Sequence, residues 1–152
     1  MSAMPAARVF IDSNTFLYTF DEFEADKRRV AQNWLIALAD HDEGVTNLQA
    51  LNEVASVSTR KRSRFGRDDP FVRIDAFSIF GSSPVTLATS ISARRYFSEF
   101  HYSWWDCLLV ASALELGCTH FLSEDLQDGQ VIDTLTIVDP FAHSPEQILI
   151  SR

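Results

Sequence analysis

The chain has 152 residues, 46% of them apolar and 22% charged, with a formal net charge of −8. That length reads as one domain, residues 1–152, with a substantial core, and the composition is that of a folded protein rather than a disordered tail. The negative balance argues against broad, non-specific attraction to nucleic acid, and no apolar run is long enough to span a bilayer, so no membrane association is expected. Cys107 and Cys118 lack a C-x-x-C spacing and read as buried free thiols of a reducing compartment. Met1 to Arg8 lacks the charged-then-apolar pattern of an export signal, and the expected location is cytoplasmic.

Val9-Phe10-Ile11 is a short apolar run ending at Asp12, read as a buried first strand. Asp12-Ser13-Asn14-Thr15 then offers several capping side chains for a helix through Phe16-Leu17-Tyr18. After the acidic loop Asp21-Glu22-Phe23-Glu24, Val30, Trp34, Leu35 and Leu38 recur at helical spacing within Ala25 to Asp40. Gly44-Val45 marks a second strand, and Thr46-Asn47-Leu48-Gln49 matches a capping box for a helix that carries Glu53 and runs out at a basic stretch. Asp68-Asp69-Pro70 restarts a helix with proline in its first turn, and Gly81-Ser82-Ser83-Pro84 breaks it. Val85-Thr86-Leu87 is a third strand candidate, with Thr89 capping a helix through Phe100. Ser103 to Glu115 reads as a capped helix stopped by Gly117, followed by a buried strand that runs into Ser123-Glu124-Asp125. Asp128-Gly129 signals a turn, Leu135 to Val138 a last strand, and Pro145 to Arg152 one or two helical turns. Strands alternating with helices predict a three-layer α/β/α domain around a parallel sheet of about five strands.

Four acids, Asp12, Glu53, Asp106 and Asp125, each have a local explanation. Asp12 and Asp125 can cap helices, Asp106 closes the capping-box-like Ser103-Trp104-Trp105-Asp106, and Glu53 can be a solvated helix residue. In a parallel α/β layer, however, the carboxyl ends of strands and the starts of the following helices share one edge. Asp12, Asp106 and Asp125 are predicted there, and Glu53 one or two turns into a helix that starts at the same edge. Gathered in one pocket they would repel one another unless a cation neutralised them. Oxygen donors without histidine suit Mg²⁺ or Mn²⁺, ions that polarise a phosphate for phosphodiester hydrolysis. Arg60, Lys61, Arg62, Arg64 and Arg67 concentrate five of the chain's 13 basic side chains in one segment, either a solvated helix end or a contact for a nucleic-acid backbone. Tyr102, Trp104 and Trp105 form an aromatic cluster beside Asp106; Trp105 is the one expected in the core, leaving Trp104 or Tyr102 to stack on an unpaired base or accept a partner's side chain. His41, His101, His120 and His143 match no zinc spacing, and neither a P-loop, a G-x-G-x-x-G nor a G-x-S-x-G is present.

Val9 to Asn14, Leu51-Asn52-Glu53, Trp105 to Ala113 and Phe121 to Leu126 together resemble the PIN-domain ribonucleases, most closely the VapC-type toxins of bacterial toxin–antitoxin pairs. The resemblance covers nearly the whole chain and keeps the order and spacing of the acids. It implies an Mg²⁺-dependent endoribonuclease, with Mn²⁺ as an alternative ion. Asp12, Glu53, Asp106 and Asp125 become the catalytic, metal-binding acids, and Asn14 and Ser123 match polar positions that orient acids or water. Asp128 is an auxiliary ligand candidate, and Glu124 reads as solvent-facing. The implied partners are RNA, met also by Arg60, Arg62 and Arg64, a cognate antitoxin, and a second copy of the chain. The antitoxin would insert an arginine towards the carboxylates and seat aromatic anchors in a groove between the helices Ala25 to Asp40 and Asn47 to Thr59. Two other readings share the fold: a non-catalytic RNA- or protein-binding module, and a metal-dependent DNA nuclease.

Overall fold

A computed structural model describes residues 7–149; residues 1–6, read above for an export signal, and 150–152 of the tail lie outside the described residues. Five strands, β1 (Val9–Ile11), β2 (Gly44–Val45), β3 (His120–Leu122), β4 (Val131–Ile132) and β5 (Leu135–Val138), form one sheet in the order β2-β1-β3-β5-β4. β1 pairs in parallel with β2 and β3, and β3 with β5, whereas the edge strand β4 is antiparallel to β5.

The central strands β1 and β3 and the neighbouring β5 are largely buried on both faces, and side chains alternate between them. Phe10, Phe121 and Ile137 join one core with the helices α6 (Leu87–Phe100) and α7 (Trp104–Glu115). Val9, Ile11, Leu122 and Val138 join the other, with α1 (Ser13–Tyr18), α2 (Ala25–Asp40) and α3 (Leu48–Arg60). Phe10 and Phe121, paired in register, stack with centroids 5.2 Å apart. Each such fully buried phenylalanine contributes about 1.5–3 kcal/mol of transfer free energy. The short helices α4 (Arg62–Phe65), α5 (Pro70–Phe77) and α8 (Pro145–Leu149), with a 3₁₀ turn at Ser78–Phe80, complete the helical layers. This is the α/β/α architecture expected from the alternation of elements.

One expected strand is absent and another replaces it. Val85-Thr86-Leu87 is not a strand: Pro84 has no N–H for a ladder, and Thr86 instead caps α6, its Oγ1 accepting the Thr89 N–H at 3.3 Å. Thr89, expected as the cap, is the third residue of that capping box and bonds back to the Thr86 amide at 3.2 Å. β4 supplies the fifth strand. Only Ser83, in an isolated bridge to Asn47, touches the strand pattern in that region. Gly81 makes this approach feasible: its φ of +127° is a glycine conformation, and a Cβ there would stand 2.7 Å from the Thr46 carbonyl oxygen.

Candidate active site

β1 delivers Asp12 to the carboxyl edge of the sheet, where its backbone turns from strand into α1. Asp12 caps that helix, Oδ1 accepting from the Thr15 N–H at 3.0 Å and from Thr15 Oγ1 at 2.7 Å. The capping role occupies one carboxylate oxygen. β3 runs beside β1 with Leu122 opposite Ile11, so the chain leaves β3 at the same edge. Ser123 organises the turn there: its buried Oγ accepts the N–H groups of Asp125 and Leu126, both at 3.2 Å. Asp125 Oδ2 in turn accepts from Asn14 Nδ2 at 2.7 Å, joining the turn to α1.

The α3 start is tied to the same edge. Thr46 Oγ1 donates to the Ile11 carbonyl at 3.0 Å, and Asn47, one residue beyond the expected cap, accepts the Ala50 N–H at 2.9 Å. Two turns of α3 are then enough to bring Glu53 to Ser13, whose Oγ donates to Glu53 Oε2 at 2.8 Å. Gln49 Nε2 donates to Glu53 Oε1 and to the Trp105 carbonyl, each at 3.0 Å, linking α3 to the first turn of α7. In that turn the Asp106 N–H donates to Ser103 Oγ at 3.2 Å. Ser13 and Gln49 were visible in the sequence only as capping residues. The i, i+4 spacing of Gln49 and Glu53 is a usable signal for their pairing; the contact of Ser13 across 40 positions is not.

Asp12 is 7% exposed, and burial pushes its carboxyl up from the usual 3.8 to about 7, with the charges of Asp125 and Asp106 adding to the push against the Thr15 bonds. Burial raises Asp106 as well, and Asp125 adds to that. Among the described residues no lysine, arginine or histidine is ion-paired with Asp12, Glu53, Asp106 or Asp125. Nor do three acids, histidines or cysteines among them converge on one ion-sized point. Glu53 and Asp125 instead turn to neutral donors on α1 and α3. The donor set is hard oxygen throughout, charged and short of positive charge, and its chemistry fits a divalent cation of the Mg²⁺ class.

A cleft of about 950 Å³ is lined by two of these acids, Glu53 and Asp106, together with Ser13, Asn14, Gln49 and Arg60 among others. α3, α7 and the Pro84-Val85 segment bound it, and no residue of α2 is in its lining. Arg60 lines the cleft, its Nε held by the Ser56 carbonyl. Arg62 is turned to the Arg67 and Asp68 carbonyls, and Arg64 grips Asp21. Asp128 accepts the Asp139 N–H at 2.9 Å and pairs with His143 at 2.7 Å, bonds that hold its carboxyl below the usual carboxylate range. Glu124 is not solvent-facing: it pairs with Lys27 at 2.9 Å and accepts the Tyr18 hydroxyl, because Lys27 lies between the Tyr18 and Phe141 rings within its reach. The tryptophans exchange their expected places. Trp104 packs edge-on to Phe97 against the core, and Trp105 is 63% exposed at the cleft.

Residues 9–127, which include all four acids of the edge, match the family model of the PIN domain. The chain belongs to the PIN-domain family. Among solved structures this PIN domain is similar to the sarcin–ricin-loop-cleaving toxin VapC20 of Mycobacterium tuberculosis. The two share 15% sequence identity and a TM-score of 0.50, over 74% of this chain and 86% of that one. At that identity the likeness is one of fold. Comparison with curated proteins gave no match.

Proposed function

We propose that this PIN domain is a divalent-metal-dependent endoribonuclease, the toxin of a type II toxin–antitoxin pair. One observation carries the reading: burial, with the neighbouring charges of Asp125 and Asp106 adding to it, raises the proton affinity of Asp12 at the edge of β1 and β3, and among the described residues no basic side chain is paired with it. A buried carboxylate in that condition needs a cation or a proton. Asp12, Glu53, Asp106 and Asp125 would hold Mg²⁺ or Mn²⁺, which supplies Lewis acidity towards a phosphate oxygen.

The chain's own groups do the rest. Asn14 fixes the direction of Asp125, and Ser123 fixes the turn that carries it. Ser13 and Gln49 hold both oxygens of Glu53 with neutral donors and so fix its direction at the cleft. Arg60 meets phosphate charge at the other end of the cleft. The toxin assignment is supported by the fold likeness to VapC20. It implies a cognate antitoxin that covers the acids, and a homodimer. Co-purification with a small neighbour-encoded protein, and relief of growth arrest by that protein, are the expected results.

RNA cleavage with and without Mg²⁺, by the wild type and by Asp12→Ala and Asp106→Asn, tests the enzyme. Undiminished cleavage by both variants would overturn it, and the same assay on single-stranded DNA separates RNase from DNase. A non-catalytic binding module is the second reading, and the lack of three converged acids among the described residues favours it. Calorimetric titration separates the two, since no heat at millimolar Mg²⁺ or Mn²⁺ supports the binding module.

A further inference from the structure

Trp105 stands directly before Asp106, at the mouth of the cleft, and the residue is 63% exposed. Its backbone is not free: the carbonyl accepts Gln49 Nε2 at 3.0 Å, so the ring rides on a fixed stem in the first turn of α7. Among the described residues no ring or cation stacks on the indole and its N–H has no partner, whereas Trp104 is anchored on Phe97. A large apolar ring held in water at the edge of a charged cleft is a contact surface in waiting. The cleft beneath it runs from the acids to Arg60, with the amides of Asn14, Gln49 and Asn52 along its lining.

We propose that this arm of the cleft takes the nucleotide next to the scissile phosphate, its unpaired base stacked on Trp105 and its own phosphate against Arg60. The proposal rests on the ribonuclease reading above. Charge decides the occupant. A basic peptide side chain would satisfy the acids but meet the Arg60 guanidinium as a like charge. A nucleotide strand offers anionic groups to Arg60 at one end and to the cation-loaded acids at the other, with a π-face between them. A base inside a duplex has both faces covered, so stacking on Trp105 selects single-stranded RNA.

Tryptophan emission of the full chain is titrated with a ten-nucleotide single-stranded RNA and with the same sequence as a duplex, in Ca²⁺ instead of Mg²⁺ to keep the strand intact. The single strand is expected to quench emission and the duplex to leave it unchanged. Trp105→Phe is expected to lose the quench while keeping affinity within about threefold, and Trp105→Ala to bind about tenfold more weakly, the usual worth of one base–aromatic stack. Unchanged affinity in Trp105→Ala, or equal quenching by the duplex, overturns the proposal and leaves the ring as a protein contact. Binding is read without turnover. Wild-type cleavage with full Trp105→Ala affinity therefore sinks the stacking site alone, and quenching through Trp105 by a protein that never cleaves RNA supports the site and sinks the nuclease.

Discussion

Asp12 and Asp21 are both buried aspartates at the ends of α1, and the fold neutralises only one of them. Asp21 is 0% exposed, yet its Oδ2 accepts two bonds from Arg64, at 2.9 Å from Nε and 2.7 Å from Nη2, while Oδ1 takes the Phe23 N–H at 2.9 Å. The pair in turn pushes the Arg64 guanidinium further from deprotonation. Asp12 has only the neutral donors of Thr15, so burial, with nearby acids adding to it, pushes its carboxyl up to about 7. A charge-assisted bidentate pair fixes structure. A carboxylate without one stores free energy that a bound cation can release, and that difference separates a fastening from a site.

The contrast is broken most severely by Arg64→Ala, which leaves Asp21 as a buried acid with no cation. A loss of about 3–5 kcal/mol is expected, or about 10 °C in Tm, read by urea and thermal unfolding. Asp12→Ala and Asp106→Asn test the other side: cleavage is expected to fall by about 10²-fold or more in a single-turnover RNA assay, with folding retained. Asp12→Asn sharpens the comparison through pH. The folded protein binds a proton at Asp12 up to about 7, against 3.8 for an ordinary aspartate, so the unfolded chain is the one that loses it first. The stability from this proton is complete below about 3.8 and is lost as pH rises through about 7. In metal-free protein at pH 8, Asp12→Asn keeps an oxygen for Thr15 and is expected to gain about 1–3 kcal/mol over the wild type. That gap should close below pH 4 and shrink when Mg²⁺ is added, as scanning fluorimetry would record. Asn14→Ala is the mildest change. Freed from its donor, Asp125 is expected to hold its direction less well, at a cost of about tenfold in cleavage or metal affinity.

Much of the site was legible because its placement is local. A strand of Val9-Phe10-Ile11 must end where Asp12 begins a helix, and Pro70 fits only a first turn; the helix over Ala25–Asp40 follows from spacing alone. That Asp12 and Asp125 follow strands ending at one edge came from topology, since parallel strands put their carboxyl ends together. Their fastenings did not. Asn14 reaches Asp125 across 111 positions, and Arg64 reaches Asp21 across 43, so neither pairing has a local sequence signal. Glu124 was misread for the same reason, its partners Lys27 and Tyr18 lying 97 and 106 positions away.

The sequence by itself determined most of the order of elements, the caps at Asp12, Asp69 and Ser103, and the sheet edge at which Asp12 stands. Capping, periodicity and strand polarity act between near neighbours, and each is written in a few consecutive residues. Only the tertiary structure decided that β4 rather than Val85-Thr86-Leu87 makes the fifth strand, that Arg64 belongs to Asp21, and that Trp105 rather than Trp104 faces water. α7 is apolar on nearly every side, so its pattern cannot rank two adjacent indoles. The ring that Phe97 of α6 reaches is the one that becomes core, and the other is left at the mouth of the cleft.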